Sequence, residues 1–413
     1  NVRRTVFYPD APGRDFITVR GFTMRHSATP WAPPTAEQVG LLGTHWSRGR
    51  IIESNVITHS RCVGITLGKY GDEFDNTSQD TATGYVATIH RALERGWHRD
   101  RIGSHLVRDN VIAHCEQAGL VGSLGAIFSV ISNNVIHSIH TRRRFSGAEQ
   151  AGIKIHAAID ARIEHNLIFN TSRGIWLDWM AQGTRVSRNV CISNSSDDVF
   201  VEVNHGPFVL DHNWLLSAVS LRDWSQGGAF IHYTFAGRIL ARPELSRMTP
   251  YHHPHSTTLA GMSAIQGGDH RFIANFFVPP ADSRNASAHG LGVYSTSALP
   301  VLARGNVYAN GAQPLPEEQN AAIIPDPIRW SVHLTPDGHW HWTWSGPTPP
   351  AALSRPLESP ELGLARIPGL PFVNPDGTPI VFAEDFFGAA RVPAPVAGPL
   401  QSWPAQGRIR LWP

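Results

Sequence analysis

The sequence predicts an all-β protein, a right-handed parallel β-helix (solenoid) with inserted loops and a smaller β-rich flanking region. Short β-branched runs alternate apolar with polar or aromatic residues, the period of a strand with one face in a core. An apolar-x-x-Asn-apolar-apolar phrase recurs around Asn55, Asn110, Asn134, Asn166, Asn189, Asn213, Asn275 and Asn306. Where no insertion intervenes, from 110 to 134, 166 to 189 and 189 to 213, its step is 24, 23 and 24 residues. A chain that returns to one place at so constant a step is a stack of coils. The leucine consensus of the other common solenoid is missing, and Gly and Asn punctuation beside short strands favours the β-helix. An Asn once per coil implies a turn whose side chain satisfies backbone groups and tolerates a left-handed conformation.

Composition narrows the setting without naming a function. At 413 residues the chain exceeds one ordinary domain, which a solenoid does by adding coils. Lys+Arg 35 against Asp+Glu 33 gives a net charge of +2, and hence no reason to expect nucleic acid or an acidic membrane as partner. Cys62, Cys115 and Cys191 cannot all pair and read as buried thiols. No apolar run approaches the roughly 18 residues of a membrane span. Asn1 opens a polar segment without an apolar signal region, which suggests a mature or truncated chain. Localisation and oligomeric state, a homo-oligomer included, are left open.

Taken in order, the coils are expected to occupy residues 1–310, with insertions near 68–102, 138–150 and 227–268. The first carries Tyr85, Ile89, Leu93 and Trp97 at a spacing of four, an amphipathic helix with its stripe against the solenoid. The second carries Arg142, Arg143 and Arg144. The third, leaving the coil just after Trp224 and Gln226, holds His252, His253, Pro254 and His255. His252 to His255, His253 among them, are expected to overhang a pocket and contact substrate. That tract lacks a helical His pair or a nearby Cys, so no metal is expected and exhaustive chelation should leave activity intact. Asp72, Glu73 and Asp75 lack the regular loop of a calcium site and read as a solvated turn. Residues 311–413 form the flanking region. It contains a hairpin around Pro336-Asp337-Gly338 whose Trp340, Trp342 and Trp344 share one face and read as packing.

The chemistry gathers in three consecutive runs, 152–156, 174–179 and 199–204. With Ile153, Ile155, Ile175, Leu177, Val201 and Val203 inward, Lys154, Trp176, Phe200 and Trp224 form one outward column, and His156, Asp178, Glu202 and Gln226 the next. Side chains one coil apart start about 4.8 Å apart at the backbone, so Asp178 and Glu202 are neighbours. A carboxyl pair about 5 to 5.5 Å apart is the geometry of a retaining glycosidase, against roughly 6.5 to 9.5 Å for an inverting one. A solvated acidic face, or carboxylates paired with Lys154, is the plainer alternative. Such a face seldom carries Trp176, Trp179, Phe200 and Trp224, whose rings stack on sugar C–H surfaces and lower the local polarity.

Several stretches resemble a known family. They are Trp31 to Gln38, Cys115 to Ala126, Gly147 to Asp160, Arg173 to Thr184 (Arg-Gly-Ile-Trp-Leu-Asp-Trp-Met-Ala-Gln-Gly-Thr) and Glu202 to Pro207 (Glu-Val-Asn-His-Gly-Pro). Together they resemble the β-xylosidases of glycoside hydrolase family 120, from about residue 15 to 310. The resemblance implies a right-handed parallel β-helix with a β-sandwich flank and retaining, exo-acting removal of xylose from small xylo-oligosaccharides, without a cofactor. It assigns Asp178 as nucleophile and Glu202 as acid/base.

Glu149, Gln150, Lys154 and His156 lie on the preceding strand or just upstream, placed to hydrogen-bond sugar hydroxyls. Glu149 and Lys154 read equally well as a structural ion pair. His205 stands where it could orient a carboxyl. Two rival readings share the fold: a pectate lyase or polygalacturonase, for which Asp197-Asp198 is the superficial pointer, and a non-catalytic carbohydrate-binding β-helix.

Overall fold

The structure is a computed structural model and describes residues 2–75, 77, 81–283, 285, 288–391, 393–404 and 406–412. Among these the chain winds into three parallel sheets of ten, eleven and eight strands, each strand pairing with those one coil before and after. Ile, Val and Leu from all three sheets fill one continuous interior, including Ile153, Ile155, Ile175, Leu177, Val199 and Val201. Val199, not Val203, continues the inward row, because the register pairs Ile175 with Val199 and Leu177 with Val201. Val203 has turned out of the strand at φ 48° and packs with Trp179 and Tyr85. The three cysteines are free and buried.

The recurring Asn residues form a buried ladder. The Asn55 amide donates to Asn110 Oδ1 at 3.0 Å, Asn110 to Asn134 at 2.9 Å, Asn134 to Asn166 at 3.0 Å, and Asn166 to Asn189 and Asn189 to Asn213 at 2.9 Å. The left-handed residue is not the Asn but the one before it. Ser54, Asp109, Asn133, His165, Arg188 and His212 have φ between 52° and 57°. That turn leaves the next side chain pointing inward along the stack. After Asn213 the rung is Tyr233, whose hydroxyl accepts from Asn213 at 2.7 Å and whose N–H donates to Asn275 Oδ1 at 2.9 Å. A regular coil at Gly228–Ile231, Thr234–Phe235 and Arg238–Ala241 therefore stands where the sequence suggests insertion. The inserted segment proper is the antiparallel hairpin Glu244–His252 and Leu259–Ile265. A last rung at Ala322–Ile323 lies past residue 310.

The first insertion forms the Ala82–Glu94 helix, started by Thr81, whose hydroxyl accepts from the Gly84 N–H. Its Tyr85 and Ile89, and Trp97 beyond it, are buried against the solenoid, and Trp97 Nε1 donates to Leu124 O at 2.7 Å. In the flank, Arg329–Leu334, Trp340–Ser345 and Gln406–Trp412 make an antiparallel sheet whose second layer is the solenoid wall. Trp342 meets Trp214 at 5.3 Å and Trp344 meets Phe276 at 5.7 Å, so the tryptophan stripe is packing. Asp72 and Asp75 pair with the buried Lys69 ammonium at 3.2 and 3.0 Å instead of lying in a solvated turn.

Candidate active site

Three strands of the eight-stranded sheet build the site, Ala151–His156, Arg173–Asp178 and Asp197–Glu202, with Val219–Trp224 beside them. Gly64, Gly119, Gly152 and Gly174 follow one another on successive strands of this sheet, the last two on the site strands. A Cβ on Gly119 would lie 2.7 Å from Gly152 O, and one on Gly174 2.3 Å from Asp198 O. In register, Lys154 faces Trp176 and His156 faces Asp178; Trp176 then faces Phe200 and Asp178 faces Glu202. On the next coil Phe200 faces Arg222 and Glu202 faces Trp224. Trp224 thus continues the carboxyl column rather than the aromatic one, and Gln226 falls beyond it, because the step from Glu202 to Trp224 is two residues shorter than that from Asp178 to Glu202. The Trp224 ring still packs on Phe200 at 4.9 Å, with Arg242 above it at 3.7 Å.

Asp178 and Glu202 open into a cavity of about 190 Å³ lined also by Pro34, Thr35, Thr81, Ala82, Tyr85, Ala148, His156, Trp176, Trp179 and Arg247. Beneath Asp178 lies the Lys154 ammonium, fully buried. It lies 2.9 Å from Glu149 Oε1, 3.0 Å from Asp178 Oδ2 and 2.5 Å from His156 Nε2. His156 Nε2 also lies 3.2 Å from Glu149 Oε1 and 3.2 Å from Asp178 Oδ2. Burial would push Lys154 toward neutrality, but Glu149 and Asp178 outweigh it and its pKa is raised. Glu149 is likewise pushed up by burial and brought down to about 2 by Lys154 and His156. Asp178 Oδ1, Glu149 Oε2, His156 Nδ1 and Tyr85 Oη are buried and make no hydrogen bond.

Glu202 is held differently. Trp176 Nε1 donates to its Oε2 at 3.0 Å, and Arg247 Nη2 to its Oε1 at 2.7 Å. Burial, and next the Asp178 charge, push its pKa up to about 7 against the opposing pull of Arg247. The two carboxyls therefore differ: one lies against a buried ammonium, the other retains a proton near neutrality. Arg247 was not anticipated. It reaches Glu202 from the inserted hairpin, and nothing in the linear sequence links the two.

Of the residues singled out from sequence, the structure gathers Asp178, Glu202, His156, Trp176 and Trp179 around the cavity, with Glu149 and Lys154 directly behind. Five are elsewhere. Gln150 donates to Phe145 O at 3.0 Å. Gln226 bonds His205 Nδ1 at 2.8 Å, and His205 Nε2 donates to Thr249 O at 3.0 Å, so these two hold the foot of the hairpin rather than a carboxyl. Trp224 is capped by Arg242. His253 is exposed, because the long hairpin runs past the cavity and lands its turn on the segments that follow the His156 and Asp178 strands: His252 N bonds Gln182 at 3.0 Å and His255 bonds Asp160 at 2.9 Å. Asp197 is buried and paired with Arg222 at 2.9 Å, while Asp198 accepts from Asn194 and Ser217, so this pair belongs to the wall. A larger cleft of about 570 Å³ faces the ten-stranded sheet. Its arginines are already engaged, Arg99 with Asp160, Arg162 with Glu164 and Arg185 with Asp211, and it holds no comparable carboxyl pair.

A family model described as "Right handed beta helix region" matches residues 73–238. Among solved structures, "The complex structure of XylC with xylose" is 38% identical over 100% of this chain and 69% of that one, at TM-score 0.93. The pectate lyase Pel9A is 10% identical over 76% of this chain and 70% of that one, at TM-score 0.39. No curated protein matches the sequence. Fold, site and similarity define a glycoside hydrolase built on a right-handed parallel β-helix. The chain belongs to the β-xylosidases of glycoside hydrolase family 120.

Proposed function

We propose that this protein is a retaining, exo-acting β-xylosidase that releases xylose from xylo-oligosaccharides by double displacement. The observation that carries the reading is the direct pairing of Asp178 with Glu202 on adjacent parallel rungs. The backbone spacing of about 4.8 Å that this pairing implies suits the carboxyl separation of a retaining pair and leaves little room for an interposed water. Asp178, one oxygen against Lys154 and the other free of hydrogen bonds, attacks the anomeric carbon. Protonated Glu202 gives its proton to the departing glycosidic oxygen. Once Asp178 is an ester its charge no longer raises Glu202, which, having lost its proton, stays ionised and takes one from the water that frees xylose. The helix and the Pro34–Thr35 segment wall one side of the cavity, which suits one sugar unit and hence action at a chain end.

The test is a panel of 4-nitrophenyl glycosides with the anomer of the released sugar followed by NMR. Preference for the β-xyloside with retention is expected, and inverted xylose would sink the proposal. Asp178→Asn should abolish turnover of every substrate. Glu202→Gln should show a burst with aryl xylosides, leave xylobiose uncleaved, and be rescued by azide as β-xylosyl azide. Rescue of Asp178→Asn alone, as the inverted azide, would show the acid/base to be misassigned.

A further inference from the structure

We infer that Tyr85 is a sugar-binding residue: the inserted helix delivers its phenolic hydroxyl into the cavity to hydrogen-bond a ring hydroxyl of the xylosyl unit held over Asp178. From sequence alone Tyr85 is one member of an apolar stripe with Ile89, Leu93 and Trp97, a position Phe would fill equally well. The structure separates it from that stripe. Ile89 is 0% exposed and does not line the cavity, whereas Tyr85, 2% exposed, lines it together with His156, Asp178 and Trp179. Its ring is fixed from two sides, by His156 at 4.7 Å and by Trp179 edge-on at 5.2 Å. The backbone is fixed as well, since Tyr85 N–H donates to Thr81 O at 2.9 Å in the first helical turn.

So placed, the hydroxyl makes no hydrogen bond of good geometry to the protein, and Ser123 is the one side-chain group within polar reach of it. Ser123, on the neighbouring wall, gives its own proton to Pro34 O at 2.6 Å. A buried phenol without a partner costs free energy and is retained where a ligand supplies the partner. The surroundings fix the direction of the bond. Burial raises the Tyr85 pKa well above the ordinary phenol value; the nearby Ser123 hydroxyl draws it back in part, and Asp178 and Glu149 add to the rise. It is therefore a neutral donor facing acceptor-rich walls, and a sugar hydroxyl, which both accepts and donates, completes the set. The inference rests on the xylosidase reading for the identity of the sugar, but binding can be measured apart from turnover.

The experiment compares wild type, Tyr85→Phe and Tyr70→Phe. Tyr70 is a second buried tyrosine whose hydroxyl has no hydrogen bond, and it does not line the cavity. Both variants should melt at or above the wild-type temperature, since each removes an unpartnered polar group. Only Tyr85→Phe should lose roughly 10-fold in kcat/KM on 4-nitrophenyl β-xyloside, the worth of one ordinary hydrogen bond, and a matching share of the thermal protection given by free xylose. Monodeoxy xylosides locate the partner: for one of them Tyr85→Phe should cause no further loss. Unchanged kcat/KM and xylose protection in Tyr85→Phe would overturn the inference. Wild type protected by xylose but inactive on every xyloside would overturn the catalytic reading and leave this one standing.

Discussion

Glu202 carries two opposite duties in the proposed mechanism, and its neighbours decide whether one residue can perform both. Burial and Asp178 raise it to about 7, while Arg247 pulls it down. Removing that cation in Arg247→Gln should raise the Glu202 pKa further. Because the first step needs the protonated form, the alkaline limb of the kcat/KM profile, expected near pH 7 in the wild type, should move to higher pH. Deglycosylation, which needs the ionised form, should slow, so an aryl xyloside should show a burst. A limb that stays in place would mean that Arg247 does not act on the acid/base. At this scale the sequence was informative about Asp178 and Glu202, whose column follows from the repeat. It was silent on Arg247, which arrives from a hairpin 45 positions away in the chain, and on Tyr85, whose spacing is that of a packing residue. Contact, not pattern, distinguishes them.

The coil is the element that positions the chemistry, and its two ladders have separable jobs. The Asn ladder lies at a turn away from the cavity. Asn189→Ala breaks buried bonds to Asn213 and Ile163 and should cost about 1–3 kcal/mol in denaturant unfolding, with kcat at 25 °C nearly unchanged. The glycine ladder runs through the site strands. Gly174→Ala places a methyl 2.3 Å from Asp198 O and forces the Arg173–Asp178 and Asp197–Glu202 strands apart. It should cost about 3 kcal/mol or more and also lower kcat, because the separation it widens is that of the two carboxyls. Equal kcat losses in the two variants would argue against this division. The ladders also show how far periodicity reaches. Asn to Asn steps mark the coils wherever the rung is Asn, but Tyr233 serves the same stack with a hydroxyl, and that coil reads as an insertion.

For the whole molecule, folding buries histidines that stay neutral. Burial lowers His105 to about 3 and His205, His212 and His252 to about 4, against 6.5 unperturbed. The unfolded chain binds these protons first, so stability is full above about pH 6.5 and is lost as pH falls toward 4. Asp198 and Glu202, both raised to about 7, act in the opposite sense over the same range but are fewer. Melting temperature is therefore expected to fall between pH 6.5 and 4.5, and a flat or rising profile would contradict it. At this scale the sequence by itself determined the solenoid, because a coil repeat writes its period, its inward faces and its Asn turns locally, every 23 residues or so, and each coil repeats the message. It also placed Asp178 beside Glu202, since residues one step apart on stacked strands must be neighbours. Only the tertiary structure decided what surrounds them. The register beyond Glu202 depended on one shortened turn. The overshoot of His253 depended on the length of a hairpin, and Arg247 and Tyr85 depended on where two insertions come to rest. Insertions have no period, so their side chains acquire an address only when they pack.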